Sequence, residues 1–369
     1  PFSRFITNLT LEQDLSMKTF QNRFKSFIQK VIEAPKHFLF STKTKKPLLI
    51  LDRFYFNTNN VCGHHLFLLD IKTKHLKELH IPRVTNSDMG YKIISSCNGL
   101  LCIAHYSLDQ YSTLFLWNPT TKQTKRIIEQ QRQPLLLPPN CLIGFYESNG
   151  FYVVRFHSFQ NTKTSYYAIR GEKYSLSEGV WREIKGCDQN LILKGDLFWT
   201  ENTVTVKETL FWVAMEVNEK VSHEMIISFN SSNEAISKIE MPFNSSKDCV
   251  EVYKKLAVYS YKGSSSVALM ICSESKSMEQ WLDLWVLCDE YEDIEYWIKV
   301  QTLGRFSRLE RPVGVWKNQV LMATNKMIHS VGGVVAFLQE DDIGAEFYYN
   351  SLNYEESFFP LNDVLEVDH

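Results

Sequence analysis

Chemistry needs groups that can move a proton, attack an electrophile or hold a metal, and the densest cluster of such groups is the acidic run DEYEDIE at Asp289–Glu295. Carboxylates that hydrolyse a glycosidic bond must face each other across a cleft. This run instead separates two apolar segments, where a solvated hairpin turn is expected. His64 and His65 are adjacent, so on a strand they point to opposite faces and cannot hold one metal together. The eight cysteines, Cys62, Cys97, Cys102, Cys141, Cys187, Cys249, Cys272 and Cys288, include no C-x-x-C pair, and a zinc site is not expected. Cys102, Cys272 and Cys288 lie inside apolar runs, where a thiol acts as a small hydrophobe, so buried free thiols are expected rather than disulfides. No G-x-S-x-G, H-E-x-x-H or G-x-x-x-x-G-K-[ST] occurs, and no catalytic residue, metal or other cofactor is expected.

Recognition without catalysis is left, and the bulk composition bounds the partner. Hydrophobic residues are 44% and charged residues 22% of 369, a globular composition with enough apolar surface for a large core. Lys plus Arg (40) nearly balance Asp plus Glu (42), so no broad basic field exists for a phosphate backbone and nucleic acid is not an expected partner. The longest apolar stretches, such as Pro47–Leu51 and Gly333–Leu338, are far below the roughly 18 residues a bilayer span needs. No membrane partner is expected. The N-terminus lacks a secretory signal pattern, and the three N-x-S/T triplets, at Asn8, Asn230 and Asn244, carry little weight without one. The expected compartment is cytoplasm or nucleus. The chain opens at Pro1, which reads as a processed chain or a fragment.

The elements that would position a recognition surface repeat along the chain. Aromatics are 13% of residues, and short apolar runs alternate with short polar turns, the all-β signal. A hairpin of apolar strand, polar turn and second strand recurs six times: HHLFLLD-IKTK-HLKELHI from His64, TLFLWN-PTTKQ-TKRII from Thr113, YAIRGEKYSL-SEG-VWREI from Tyr167, MIISFN-SSNE-AISKIEM from Met225, LDLWVLC-DEYEDIE-YWIKV from Leu282 and VVAFLQE-DDIGA-EFYYN from Val334. Two further apolar segments lie between successive copies. Each unit thus holds about four strands, which predicts a six-bladed β-propeller over 45–369. Two packed β-sandwiches are the alternative that hairpin repetition leaves open. The first unit has one clear strand before its hairpin, Pro47–Phe56, and the segment Asn362–Asp368 is expected to supply its missing inner strand and close the ring.

Residues 1–40 differ in character. Leu15, Thr19, Phe24, Phe27, Ile28, Val31 and Ile32 recur at helical spacing before Pro35, predicting a short helical segment that ends at or before the proline. In the propeller, turns between the second and third strands of a blade share one face with the links between blades, and variable loops on a rigid scaffold are where recognition resides. Tyr and Arg are the commonest interface anchors, so Tyr106, Tyr111, Arg132, Arg305 and Arg308, all on those connections, are the candidate binding residues. Trp117, Trp181, Trp199, Trp212, Trp285, Trp297 and Trp316 fall on predicted strands and read as packing residues. YSLSEGVW at Tyr174–Trp181 is similar to the structural Asp-box of sialidase-type propellers, but Ser177 stands at the Asp position and the Gly-to-Trp spacing is one short. The double glycine Gly332–Gly333 reads as a turn and is too little for a true kelch array.

SSCNGLLCI at Ser95–Ile103 followed by LWNPTTKQTKRI at Leu116–Ile127 resembles the most specific block of the plant F-box proteins with an F-box-associated interaction domain, above all their S-locus F-box branch. YSLSEGVWREI, LDLWVL and PVGVWKNQVLM are similar to that family's later strands. LSMKTFQNRFKSF at Leu15–Phe27 and VIEAPKHF at Val31–Phe38 resemble the second half of an F-box. Its opening helix is not recognisable in PFSRFITNLTLEQD, and residues between Arg23 and Phe27 are missing relative to the pattern, so 1–40 reads as a degenerate or truncated F-box. The resemblance implies a kelch-like propeller that holds a protein substrate. It also implies a helical segment that binds a Skp-type adaptor, and through it cullin, by Leu15, Met17, Phe20, Phe24, Phe27, Val31, Ile32 and Pro35. The implied activity is substrate recognition in a Skp/cullin/F-box ubiquitin ligase, the chemistry being performed by partners. The S-locus likeness extends this to pollen self-incompatibility, with a pistil ribonuclease as substrate. A propeller interaction module with a decayed F-box is the alternative, and a propeller hydrolase, which no motif supports, is the third.

Overall fold

The computed structural model describes residues 48–361 except 57–61, 83–90, 107–111, 128–140, 161–165, 188–190, 200–202, 219–221, 243–248, 278, 292–293, 307–310, 325–326, 331–332, 338–345 and 358. The predicted N-terminal helix, with Leu15, Met17, Phe20, Phe24, Phe27, Val31, Ile32 and Pro35, lies outside the described residues. Runs such as LLILDRFYF and TLFWVAMEV are rich in the aliphatic and aromatic side chains that suit a pleated surface, and they form strands. β1 (Leu48–Phe56), β2 (Cys62–Asp70) and β3 (His75–Leu79) belong to the first sheet, and β4 (Tyr91–Cys97), β5 (Leu100–Tyr106), β6 (Ser112–Asn118) and β7 (Gln123–Arg126) are the second. The third runs β8 (Cys141–Glu147), β9 (Phe151–Gln160), β10 (Tyr167–Ser175) and β11 (Val180–Ile184), with β12 (Ile192–Leu193) also on β10. In the fourth, β13 (Asp196–Trp199) and β14 (Val204–Val206) share the flank of β15 (Thr209–Val217), followed by β16 (Ser222–Asn230) and β17 (Ala235–Glu240). The fifth is β18 (Cys249–Tyr261), β19 (Ser264–Ser275), β20 (Gln280–Tyr291) and β21 (Ile294–Phe306). The sixth is β22 (Arg311–Trp316), β23 (Gln319–Ala323), β24 (Met327–Ser330) and β25 (Gly333–Phe337), and β26 (Glu346–Tyr354) returns to the first sheet beside β1.

The innermost strands touch in cyclic order, β26 with β4, β4 with β8, β8 with β13, β14 with β18, β18 with β22 and β22 with β26. That ring is a six-bladed β-propeller, as the repeat predicted. Its core is divided into six hydrophobic clusters, each between two neighbouring blades. Alternation on β1 shows why: Leu48 and Ile50 pack toward the second blade with Ile93 and Trp117, whereas Leu49 and Leu51 pack toward the sixth with Val313 and Leu321. Both faces of each sheet are buried, so the strands next to the innermost ones, β1, β5, β15 and β19, carry near-continuous apolar runs instead of alternating ones.

Two expectations are corrected. The strand inside blade one is β26, paired antiparallel with β1 from Leu48↔Tyr354 to Phe56↔Glu346, and not Asn362–Asp368, a segment outside the described residues. Consequently the sixth apparent hairpin is no hairpin: β25 is the outer edge of blade six and β26 the inner strand of blade one. The acidic run is the second case, since β20 continues to Tyr291 and β21 starts at Ile294, leaving only 292–293 between them. The tryptophans do fall on strands, and Trp117, Trp181 and Trp212 are buried between blades.

Candidate protein-interaction face

A turn motif fixes one end of the barrel-like ring. The last residue of the third strand in four blades, Asp70, Asn118, Ser175 and Asn230, accepts backbone N–H groups of the turn: Lys72 at 2.9 Å, Thr120 at 2.9 Å, Glu178 at 3.4 Å and Ser232 at 2.9 Å. Four residues on, Lys74, Lys122, Gly179 and Glu234 adopt positive φ, which reverses the chain into the outer strand. YSLSEGVW thus serves as such a turn. Hairpins between first and second strands, Asn98–Gly99, Lys262–Gly263 and Lys317–Asn318, also have positive φ at both residues and open onto this same end.

The opposite end carries the turns between second and third strands and the blade links. Tyr106 ends β5 there, opposite Ser112. Arg305, next to the end of β21, has a 79% exposed side chain and meets Glu279, on the β19–β20 turn, at 3.1 Å. Blades two and five are three positions apart in a ring of six, so the structure sets these two candidates on one face but does not gather them. Tyr111, Arg132 and Arg308 lie outside the described residues. Sequence reasoning missed two apolar residues at this end: Val250, the second residue of β18, is 72% exposed, and Tyr166, just before β10, is 53% exposed. Tyr166 belongs to blade three and Val250 to blade five, and each is an apolar side chain left open to a partner at this end. The start of β18 also carries a charged cluster, in which Lys254 bonds Glu224 and Glu251. Burial lowers the Lys254 affinity for its proton, but those two carboxylates more than offset it, and the ammonium form is favoured overall. Nearby Glu240 takes Lys238 at 2.9 Å and His223 at 3.5 Å.

On the axis, β4, β14, β18, β22 and β26 line a cavity of about 150 Å³, with Ser95, Thr203, Thr205, Gly314, Ser351 and Asn353 among its walls. The hydroxyls there tie blades together. Ser95 Oγ donates to the Phe145 carbonyl at 3.3 Å, Thr203 Oγ1 to Ile143 at 2.6 Å and Ser351 Oγ to Val313 at 2.7 Å. Among the described residues no three His, Cys, Asp or Glu side chains are grouped to hold a metal. Cys97, Cys102, Cys141, Cys187, Cys272 and Cys288 are free thiols, and burial pushes Cys97 and Cys272 up to about 11 each. Labelling of these two by iodoacetamide at neutral pH is therefore expected to be about a hundredfold slower in the native protein than after denaturation. Mass spectrometry of the labelled peptides reads the ratio, and equal rates would contradict the burial.

A closed ring of six blades, each built on a four-stranded antiparallel path with tight turns at one end, defines a six-bladed β-propeller. The model of the F-box associated beta propeller domain matches residues 53–349, and the chain belongs to that family. It is 21% identical over 309 residues to an F-box/kelch-repeat protein of Arabidopsis thaliana, covering 81% of this chain and 77% of that one. A second, a putative F-box/kelch-repeat protein of the same plant, is 22% identical over 276 residues, and the match spans 72% of this chain but 60% of the relative's length. Among solved structures, TolB from Acinetobacter baumannii aligns with a TM-score of 0.40 at 9% identity, over 82% of this chain and 66% of TolB.

Proposed function

We propose that this chain is the substrate-recognition subunit of a Skp/cullin/F-box ubiquitin ligase, acting in cytoplasm or nucleus, with the propeller holding the protein to be modified. The family assignment over 53–349 carries the proposal: a propeller of F-box-associated type belongs to protein-interaction adaptors. The face with Tyr106, Tyr166, Val250 and Arg305 is the surface offered to the substrate, because it combines exposed apolar anchors with the connections that differ most between blades. The S-locus likeness of the NGL and WNP block makes a pistil ribonuclease the first substrate to try.

Two measurements test this. A Skp-type adaptor should co-purify with the chain and be lost in Phe24→Asp/Phe27→Asp; an adaptor-free chain that still captures a protein would instead establish the interaction module without ligase recruitment. Tyr106→Ala, Val250→Ala and Arg305→Ala together are expected to weaken substrate capture at least tenfold while adaptor binding is unchanged. Loss that maps to Lys72, Lys122 or Asn233 on the tight-turn end would place recognition on the other face.

A further inference from the structure

After β26 the chain does not leave the molecule. It crosses the tight-turn end of blade two toward blade three, and its course is set by the block that was so conspicuous in the sequence. The Nδ2 amide of Asn118 donates to two backbone carbonyls of this strap, Ser357 and Phe359, at 3.0 Å each. Gln123 Oε1 accepts the Leu361 N–H at 3.1 Å. Thr120 Oγ1 and the Tyr354 hydroxyl are 3.1 Å apart at the strap's root. Phe359 meets the edge of Phe151 at 4.7 Å between ring centres, and Leu361, 1% exposed, is inserted among Leu100, Leu116, Phe145 and Phe151 between blades two and three. Gly99 lies beneath: a Cβ there would come within 2.2 Å of Ser357 Cβ and 2.6 Å of the Glu355 carbonyl, at a backbone φ of +78°. Pro360 biases Phe359 toward extended backbone, the form that presents alternate carbonyls to one side.

Asn118 therefore performs two tasks with different atoms. Its Oδ1 holds the turn through Thr120 N–H and Thr121 N–H, a task Asp70 performs equally in blade one with Lys72 and Thr73. The amide nitrogen is not needed for the turn, and it reads the strap. We infer that the Asn98–Gly99 and Asn118–Lys122 turns form a peptide clamp whose ligand is the chain's own C-terminal segment. The clamp recognises two carbonyls two residues apart and a leucine two residues beyond. It is a second closure of the ring, independent of the β26–β1 ladder, and it binds blade one to blades two and three.

The test uses the full chain and hydrogen exchange at the Leu361 amide. Asn118→Asp keeps an acceptor for the turn and replaces the donor with an oxygen facing two carbonyl oxygens. Exchange at Leu361 is expected to rise at least about tenfold, with little change in blades four to six. Asn230→Asp, the same change at the corresponding turn of blade four, should leave Leu361 protected. Leu361→Ala, which touches only the ligand side, should free the strap while every turn stays intact, so the inference survives a folding failure of Asn118→Asp. An unchanged Leu361 exchange rate in Asn118→Asp, an equal rise in Asn230→Asp, or a strap still protected in Leu361→Ala would each overturn the clamp.

Discussion

A chain ending at residue 345 is expected to lose its cooperative unfolding transition, because it lacks β26. That strand pairs with the whole of β1 and touches both β22 and β4, so without it the first blade has a bare inner edge and the ring is open at its seam. Unpaired backbone groups facing the interior each cost about 1–3 kcal/mol. The ladder alone thus approaches the roughly 5–15 kcal/mol by which domains are stable. The buried Tyr354 and the clamp are lost with it. A chain ending at Pro360 is a far milder change, since among the described residues it removes only Leu361, whose burial contributes about 1.5–3 kcal/mol. Circular dichroism melts should show no sharp transition for the first truncation and a Tm lowered by several degrees for the second. A cooperative melt of the first near that of the parent would mean that β26 does not close the ring.

The second large effect is expected at Trp212. This indole, on β15, is fully buried, lies 5.8 Å edge-on from Phe156, and donates its Nε1–H to the Ile143 carbonyl at 2.8 Å across the blade boundary. A Cβ on Gly144 would come within 2.8 Å of the same ring, so the ring fills the space left by the absent side chain. Trp212→Ala should destabilise by about 3–5 kcal/mol through the cavity. Trp212→Phe keeps most of the apolar volume and removes one of the two side-chain donors to Ile143, whose carbonyl still takes Thr203 Oγ1, and should cost about 0.5–1.5 kcal/mol. Urea titration measures both. If the two variants were equally stable, packing against Phe156 would not be what the indole supplies.

The five hairpins from His64 to Leu282 were legible because each is a local object: an apolar third strand, a polar turn and an outer strand within about twenty residues. The turn chemistry was only half legible. Acceptors Asp70, Asn118, Ser175 and Asn230 are ordinary turn residues, but Lys74, Lys122 and Glu234 occupy left-handed backbone that their types do not advertise. Of the candidate recognition residues, Tyr106 and Arg305 could be given to one face by counting strand directions alone. Val250 and Tyr166 could not, since an exposed valine at the start of an inner strand has the same sequence signature as a buried one.

By itself the sequence determined the all-β character of the described residues, the number of four-stranded repeats, and a family block at Ser95–Ile127, because strand propensity, turn residues and repeat length are properties of neighbours along the chain. Only the tertiary structure decided that Glu346–Tyr354 joins the first blade instead of the sixth and that Asn118 holds residues some 240 positions away. Apolar strands are interchangeable in composition. Which sheet edge a strand completes depends on the edge left open when the ring closes, and no local pattern encodes that.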